Sequence, residues 1–330
     1  MVDLSVNYLG MKLNNPLIVG SSGLTENIDG LKEIDKHNPG AIVLKSLFEE
    51  EIIREMQDNL NRMQQPMHTY PEIFDYFDTI KIEDSVSKYL FLIEEAKKQV
   101  KAPIIASVNC VSASDEWTNF AKRIQDAGAD AIELNAFILP TNLELSGEDN
   151  EKTYFDIVEK VKSVVDIPVS MKISWYFSNL AHFIQKLSKT GLGSIVMFNR
   201  FYSQDIDLDR LVIKPASLYS TDEDLYKSLN WIAVMANRVD CQLAASTGVH
   251  TPEAYIKQIL AGADAVQVAS VLYKRGAAYI EDLNKGLAKW MEDNEYTSIE
   301  DFKGKLSQAK SLNPAAYERV QFMKYFSGKQ

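Results

Sequence analysis

Short apolar runs in this chain keep ending in a polar residue: Leu44 in Lys45, Val108 in Asn109, Leu134 in Asn135, Met171 in Lys172, Phe198 in Asn199, and Ala245 in Ser246 and Thr247. A parallel strand buried on both faces gains nothing by finishing on an amide or an ammonium unless that end opens onto a site. Such runs lie near Leu17–Ser21, Ala41–Lys45, Ile104–Asn109, Ala131–Asn135, Val169–Ile173, Ser194–Phe198, Gln242–Ser246 and Ala265–Val268, with helical periodicity between most of them. Strands alternating with helices predict an α/β fold, a TIM (β/α)8 barrel with its chemistry gathered at one rim.

Punctuation along the chain agrees. Ala127-Gly128-Ala129-Asp130-Ala131 and Ala261-Gly262-Ala263-Asp264-Ala265 repeat one pattern, a helix stopped by glycine and a short turn feeding a strand, and Gly191 and Gly193 sit in a similar place. Ahead of the first strand, Leu4–Tyr8 and Met11–Leu13 flank Gly10 and predict an N-terminal hairpin plugging the barrel bottom. Two connections exceed simple turns and predict rim insertions: residues 46–88, read as an amphipathic lid, a structural flap or an oligomer contact, and Arg200–Thr221. Residues 310–330 read as a tail that packs by aromatic and aliphatic contacts. A single domain over 1–330 accommodates all of this, since a bare barrel needs about 250 residues.

Composition narrows the function. Apolar residues at 46% and charged residues at 25% fit a globular protein with a full core. With 46 acidic against 35 basic residues and no stretch rich in Lys and Arg, nucleic acid is not an expected partner. The first residues lack a basic, then apolar leader, and no run of ~20 apolar residues occurs, so a cytoplasmic protein without membrane association is expected. Cys110 and Cys241 are too few for an iron–sulfur cluster or zinc site, and His37, His68, His182 and His250 show no ligand spacing, so no metal is expected.

The ordered motifs Asn15-Pro16, Ser21-Ser22-Gly23, Lys45-Ser46, Glu133-Leu134-Asn135, Lys172, Asn199, Val212-Ile213-Lys214-Pro215, Thr247-Gly248 and Val268-Ala269-Ser270 resemble the class 1 dihydroorotate dehydrogenases, over roughly residues 1–309. The resemblance implies an FMN-dependent oxidoreductase acting on a CH–CH group, in pyrimidine biosynthesis, commonly as a homodimer. It implies an FMN set of Ser21, Lys45, Ser46, Asn109, Asn135, Lys172, Phe198, Thr247, Gly248, Ala269 and Ser270. It also implies a substrate set of Lys45, Asn135, Asn199 and Arg200 for a small anionic molecule. An NAD-linked route needs an electron-transfer partner carrying an iron–sulfur centre.

Physical chemistry supplies roles beside the resemblance. A flavin that accepts a hydride gains negative charge around N1 and the C2 carbonyl, and an ammonium fixed there stabilises it; Lys172 is the candidate. A Schiff-base lysine or a salt-bridged structural lysine are the rival readings of Lys172. The loops after the last two strands, Ser246-Thr247-Gly248 and Ala269-Ser270, suit a phosphate.

The chain also departs from the family pattern. Thr-Gly and Ala-Ser stand where consecutive glycines and Gly-Thr are usual, and the family's Asn-Ser-Met-Gly-Leu stretch is missing between Ser46 and Ser87. The loop that carries the family's catalytic cysteine reads Asn135-Ala136-Phe137-Ile138-Leu139-Pro140-Thr141-Asn142. Lys45, Thr141 and Cys110 therefore stand as catalytic candidates: Cys110 as a rim thiol or as an inert buried one, Thr141 as a weak base. His68 is a proton-shuttle candidate, and Tyr176 a stacking phenol or a packing residue. Two further readings stay open: a non-catalytic flavin or phosphate-ligand binding protein, and a flavin-free barrel enzyme built on Lys172.

Overall fold

The computed structural model describes residues 2–54, 85–200 and 204–318. The strands, in chain order, are β1 (Val6–Tyr8), β2 (Met11–Leu13), β3 (Leu17–Val19), β4 (Ala41–Val43), β5 (Leu47–Phe48), β6 (Ile104–Cys110), β7 (Ala131–Ala136), β8 (Val169–Ile173), β9 (Ser194–Met197), β10 (Gln204–Asp207), β11 (Val212–Pro215), β12 (Gln242–Ser246) and β13 (Ala265–Val268). Parallel pairing runs β4-β3-β13-β12-β9-β8-β7-β6, and a β4–β6 pairing closes it into the eight-stranded barrel; β5 extends the wall beside β6. Every predicted barrel strand is present and begins at the predicted residue. The helices outside the barrel include α1 (Ile28–Asp35), α2 (Ser85–Gln99), α3 (Asp115–Asp126), α4 (Gly147–Val164), α5 (Leu180–Ser188), α6 (Leu225–Met235), α7 (Pro252–Ala261), α8 (Ser270–Arg275) and α9 (Tyr279–Asp293).

The β1–β2 hairpin turns on Leu9 and Gly10, both at positive φ, as a tight hairpin requires. Its tip closes the barrel floor: the Tyr8 hydroxyl donates to Ser194 Oγ at 3.0 Å, and Gln242 accepts from Leu9 N at 2.7 Å while donating to the Asn7 carbonyl at 2.7 Å. The repeated glycines act as stops, with Gly128 at φ 95° and Gly262 at φ 122°. The aspartate that follows each has its own task. Asp130 accepts from Ile104 N at 2.8 Å and Asp264 from Leu243 N at 2.9 Å, so each secures the start of the neighbouring strand. Lys97 and Lys303 pair with these carboxylates from outside.

The rim insertions are described in part. In the segment read as a lid, residues 46–54 form β5 and helical turns over 49–54; most of the remainder, including His68, lies outside the described residues. Glu49 is 3% exposed and fastens this segment, accepting from the amides of Val111 and Ser112 at 2.8 and 3.0 Å and from the Ser112 hydroxyl. The insertion after β9 is the antiparallel hairpin β10–β11, which leaves Ile206, Leu208, Leu211, Val212 and Ile213 exposed. Of the tail, a short 3-10 turn at Pro314–Tyr317 is described, tied to Gln308, whose side-chain amide donates to the Pro314 carbonyl at 3.1 Å; residues 319–330 lie outside.

Asp264→Ala strips the acceptor from a part-buried amide and leaves Lys303 with only its exposed partner, Glu300. Chemical denaturation is expected to show a loss of about 1–3 kcal/mol, with Asp264→Asn closer to wild type because its carbonyl still accepts from Leu243 N.

Candidate functional site

The C-terminal strand ends open onto a cavity of about 780 Å³, within the size range of cofactor pockets. Its lining combines Ser21, Lys45, Ser46, Asn109, Asn135, Lys172, Asn199, Arg200, Thr247, Gly248, Ala269 and Ser270 from the predicted set with Glu50, Phe137, Tyr219, Ser220, Gln267 and Tyr273. Barrel closure brings these together because most lie near or just beyond the C-terminal end of a strand whose register is fixed by its neighbours: Asn109 lies opposite Asn135, and Asn135 opposite Lys172.

Lys172 stands on the cavity floor, 9% exposed. Its ammonium donates to Gln267 Oε1 at 2.8 Å and lies 3.8 Å from Glu133 Oε1. The Gln267 amide in turn donates to Glu133 Oε2. Burying either charge alone would be strongly unfavourable, and removing one partner of such a pair typically destabilises by about 3–5 kcal/mol. Lys172 is thus engaged by both Gln267 and Glu133, an ion-pair arrangement rather than the unpaired amine that a Schiff-base nucleophile presents.

Amides and hydroxyls line the adjacent wall. Asn199 Nδ2 donates to Asn135 Oδ1, which leaves Asn135 Nδ2 and Asn199 Oδ1 as a donor–acceptor pair without another partner among the described residues. Ser21, Ser46 and Ser107 form a hydroxyl chain, with Oγ–Oγ distances of 3.1 and 2.7 Å, that runs from the segments after β3 and β4 to the middle of β6. Lys45 borders the cavity but is paired with Glu26 at 2.6 Å. The Arg200 guanidinium donates to the carbonyls of Leu218 at 2.6 Å and Ser217 at 3.1 Å, so it pins the chain beyond β11 over the cavity.

At the opposite end, Thr247 and Gly248 follow one another at φ 80° and 79°. A Cβ on Gly248 would come within 2.1 Å of Leu225 N, so only glycine fits, while Thr247, a β-branched residue at positive φ, is strained and is tethered by its hydroxyl to the Phe198 carbonyl at 3.1 Å. Ser220 is buried here: its amide donates to Ser270 Oγ at 3.0 Å, its hydroxyl meets His250 Nε2 at 2.9 Å, and its carbonyl accepts from Lys274 at 2.9 Å. Burial, followed by the Lys274 charge, pulls His250 below the ordinary histidine value.

Three predicted residues are placed elsewhere. Cys110 is fully buried beneath the rim, where burial and then the Glu49 charge push its thiol well up; the rim-thiol reading is corrected, since no thiolate forms there near neutral pH. Thr141 is exposed on its loop, outside the cavity lining. Phe198 is 2% exposed, edge-on to Trp175 at 5.9 Å, and contributes only its carbonyl to the site. Sequence reasoning gave Gln267, Glu133, Glu49 and the Ser220–His250 pair no role. A carboxylate inside the apolar run Ala131–Ala136 and an amide inside Ala265–Val268 were the available signals. Among the described residues no group of three or more His, Cys, Asp and Glu is arranged to hold a metal ion.

Comparison with known proteins gives a consistent set of relatives. The family model "Dihydroorotate dehydrogenase" matches residues 3–291. The chain is 27% identical over 317 residues to a dihydroorotate dehydrogenase B (NAD(+)) catalytic subunit of Thermoplasma volcanium, covering 92% of this chain and 98% of the relative. It is 24% identical over 321 residues to a dihydroorotate dehydrogenase (fumarate) of Saccharomyces mikatae, covering 92% and 98%. A crystal structure of the Eimeria tenella enzyme DHODH in complex with ferulenol shares the fold, with a TM-score of 0.66, 15% identity and coverage of 92% and 88%.

The depressed His250 fixes a pH dependence. Between its folded value and the ordinary 6.5, the unfolded chain binds more protons, so stability rises with pH through that window and falls as pH drops below about 6.5. Thermal melting from pH 8 to pH 5 is expected to show this loss in the wild type and a flatter profile in His250→Gln.

Proposed function

Because the chain belongs to the dihydroorotate dehydrogenase family, we propose that it is an FMN-dependent oxidoreductase that takes a hydride from a CH–CH unit of a dihydropyrimidine-type ring, within pyrimidine biosynthesis. The observation that carries this reading is a buried ammonium, Lys172, on the floor of a cavity whose far end is built from Thr247, Gly248, Ala269 and Ser270. The donor set fits FMN: a cation for the electron-rich edge of the ring, amide side chains for its polar rim, and backbone amides with a serine hydroxyl for the phosphate. Bound FMN supplies the hydride acceptor.

The chain's own residues then divide the remaining work. Lys172 opposes the negative charge that builds on the flavin edge, and its pairing with Glu133 disfavours the Schiff-base alternative. Asn135 and Asn199, locked to each other, present one donor and one acceptor toward a cyclic amide. Lys45 and Arg200 place positive charge near a small anionic substrate. Proton removal is the weak point. Phe137 lines the cavity, Ile138 and Leu139 follow it where the family has its cysteine, and Cys110 is buried. That observation favours a second reading, a flavin-binding protein that kept the scaffold and lost efficient dihydroorotate chemistry.

Electrons leave, in this proposal, through a partner subunit. Two observations support it: relatives named as catalytic subunits, and the exposed apolar residues of the β10–β11 hairpin, which a protein surface would cover. A cytoplasmic homodimer is part of the same proposal; among the described residues no helix is long and apolar enough to cross a membrane.

Purified protein is expected to show flavin absorbance, and its absence after incubation with FMN would remove the proposal. Lys172→Ala, which leaves Glu133 without its cation, should lower stability by about 3–5 kcal/mol and, in the folded protein, lower the flavin reduction potential or empty the site; unchanged potential and occupancy would cancel the role of Lys172. In anaerobic stopped-flow, dithionite should bleach the flavin at once, whereas dihydroorotate should do so slowly, since general-base assistance normally contributes ~10² to 10⁴ in rate. Fast bleaching by dihydroorotate, lost in Thr141→Val, would identify a working base and refute the second reading.

A further inference from the structure

The interior of a (β/α)8 barrel is ordinarily packed with branched apolar side chains. Here it holds a carboxylate, Glu133, at 1% exposure on β7, one register step below Asn135. On either side of it, Ile132 and Leu134 are fully buried apolar residues on the opposite face of the strand, so Glu133 is a charge placed on the inward face. Glu133 Oε2 accepts from the Gln267 amide, while Glu133 Oε1 is buried with no hydrogen-bond partner and lies 3.8 Å from the Lys172 ammonium. Lys172 is the only cation paired with Glu133 among the described residues.

Gln267 is held between the two charges. Its carbonyl oxygen faces the ammonium at 2.8 Å and its amide nitrogen faces the carboxylate, the single orientation in which both contacts are favourable. This bridge uses one of the three N–H groups of Lys172, leaving two that can serve a ligand in the cavity above. The ammonium is thus aimed by Gln267 and partly neutralised by Glu133 before any cofactor arrives.

We propose that Glu133 is a positioning residue that lowers the reduction potential of the bound flavin, by sharing the Lys172 charge from below and fixing its direction through Gln267. Resting on the FMN reading above, this follows from the sign of the charges alone. Reduction brings negative charge to the flavin edge, and the stabilisation available there is that of an ion pair rather than of an unopposed cation. In a site shielded from water the difference is large enough to read.

Spectroelectrochemical titration of the flavin-loaded full-length protein decides the matter. Glu133→Gln keeps the size and the acceptor for Gln267 but removes the charge. Its reduced flavin should bind about tenfold more tightly relative to the oxidised form than in wild type, an upward shift of about 30 mV for a two-electron couple. Glu133→Asp, which retains the charge and withdraws it by one methylene, should shift the potential by less, and it provides the reading if Glu133→Gln does not fold. A merely structural carboxylate would lower the melting temperature in both variants and leave the potential in place. That result, or a downward shift, overturns the proposal while the flavin reading stands; a wild-type protein that takes up no flavin overturns both.

Discussion

One buried ion pair organises this molecule. Lys172 and Glu133 come from adjacent strands and Gln267 from across the barrel, so the bridge among them exists only when the barrel is closed. Charge is expensive to bury, and here each charge is tolerable only because the other is present. Strand register, cavity floor and the direction of the ammonium are consequently linked, and a slip of one residue in β7 or β8 would turn Glu133 or Lys172 outward into the apolar layer under the helices. The polar floor is also where a flavin-dependent reaction needs its fixed positive charge.

Around that floor the chain keeps the scaffold and alters the trimmings. The end of the cavity beyond β12 and β13 has a glycine where only glycine fits, Gly248, yet accepts a strained threonine at Thr247 and draws on Ser220, His250 and Lys274 to brace the loops. On the opposite wall Asn199 is bonded to Asn135, Lys45 is paired with Glu26, and Arg200 donates to the carbonyls of Leu218 and Ser217.

Much of this was legible from the residues. Strand starts could be read because fully buried parallel strands are continuous apolar runs bounded by glycine and by polar termini, and Asn109, Asn135, Lys172 and Asn199 announce the rim by closing such runs. What escaped was whatever depends on long-range closure. Gln267 and Glu133 are 134 positions apart and meet only inside the barrel; Cys110 follows Asn109 at the end of β6, and strand alternation turns its side chain into the core. The hairpin β10–β11 escaped because its exposed Ile206, Val212 and Ile213 break the usual link between apolar residues and burial. The motif order across the whole chain compensated for these local failures, and the family match over residues 3–291 agrees with it.

The central claim is that Lys172, held from beneath, marks the floor of a flavin site whose phosphate end lies at Thr247–Gly248 and Ala269–Ser270. A crystal structure of the protein grown with FMN tests it most directly. The account predicts the ring edge within hydrogen-bond distance of Lys172 Nζ, the phosphate against the amides of those two loops, and the Lys172–Gln267–Glu133 bridge intact below. Flavin density elsewhere, a reversed ring with Lys172 facing solvent, or a cavity that stays empty at saturating FMN would contradict it.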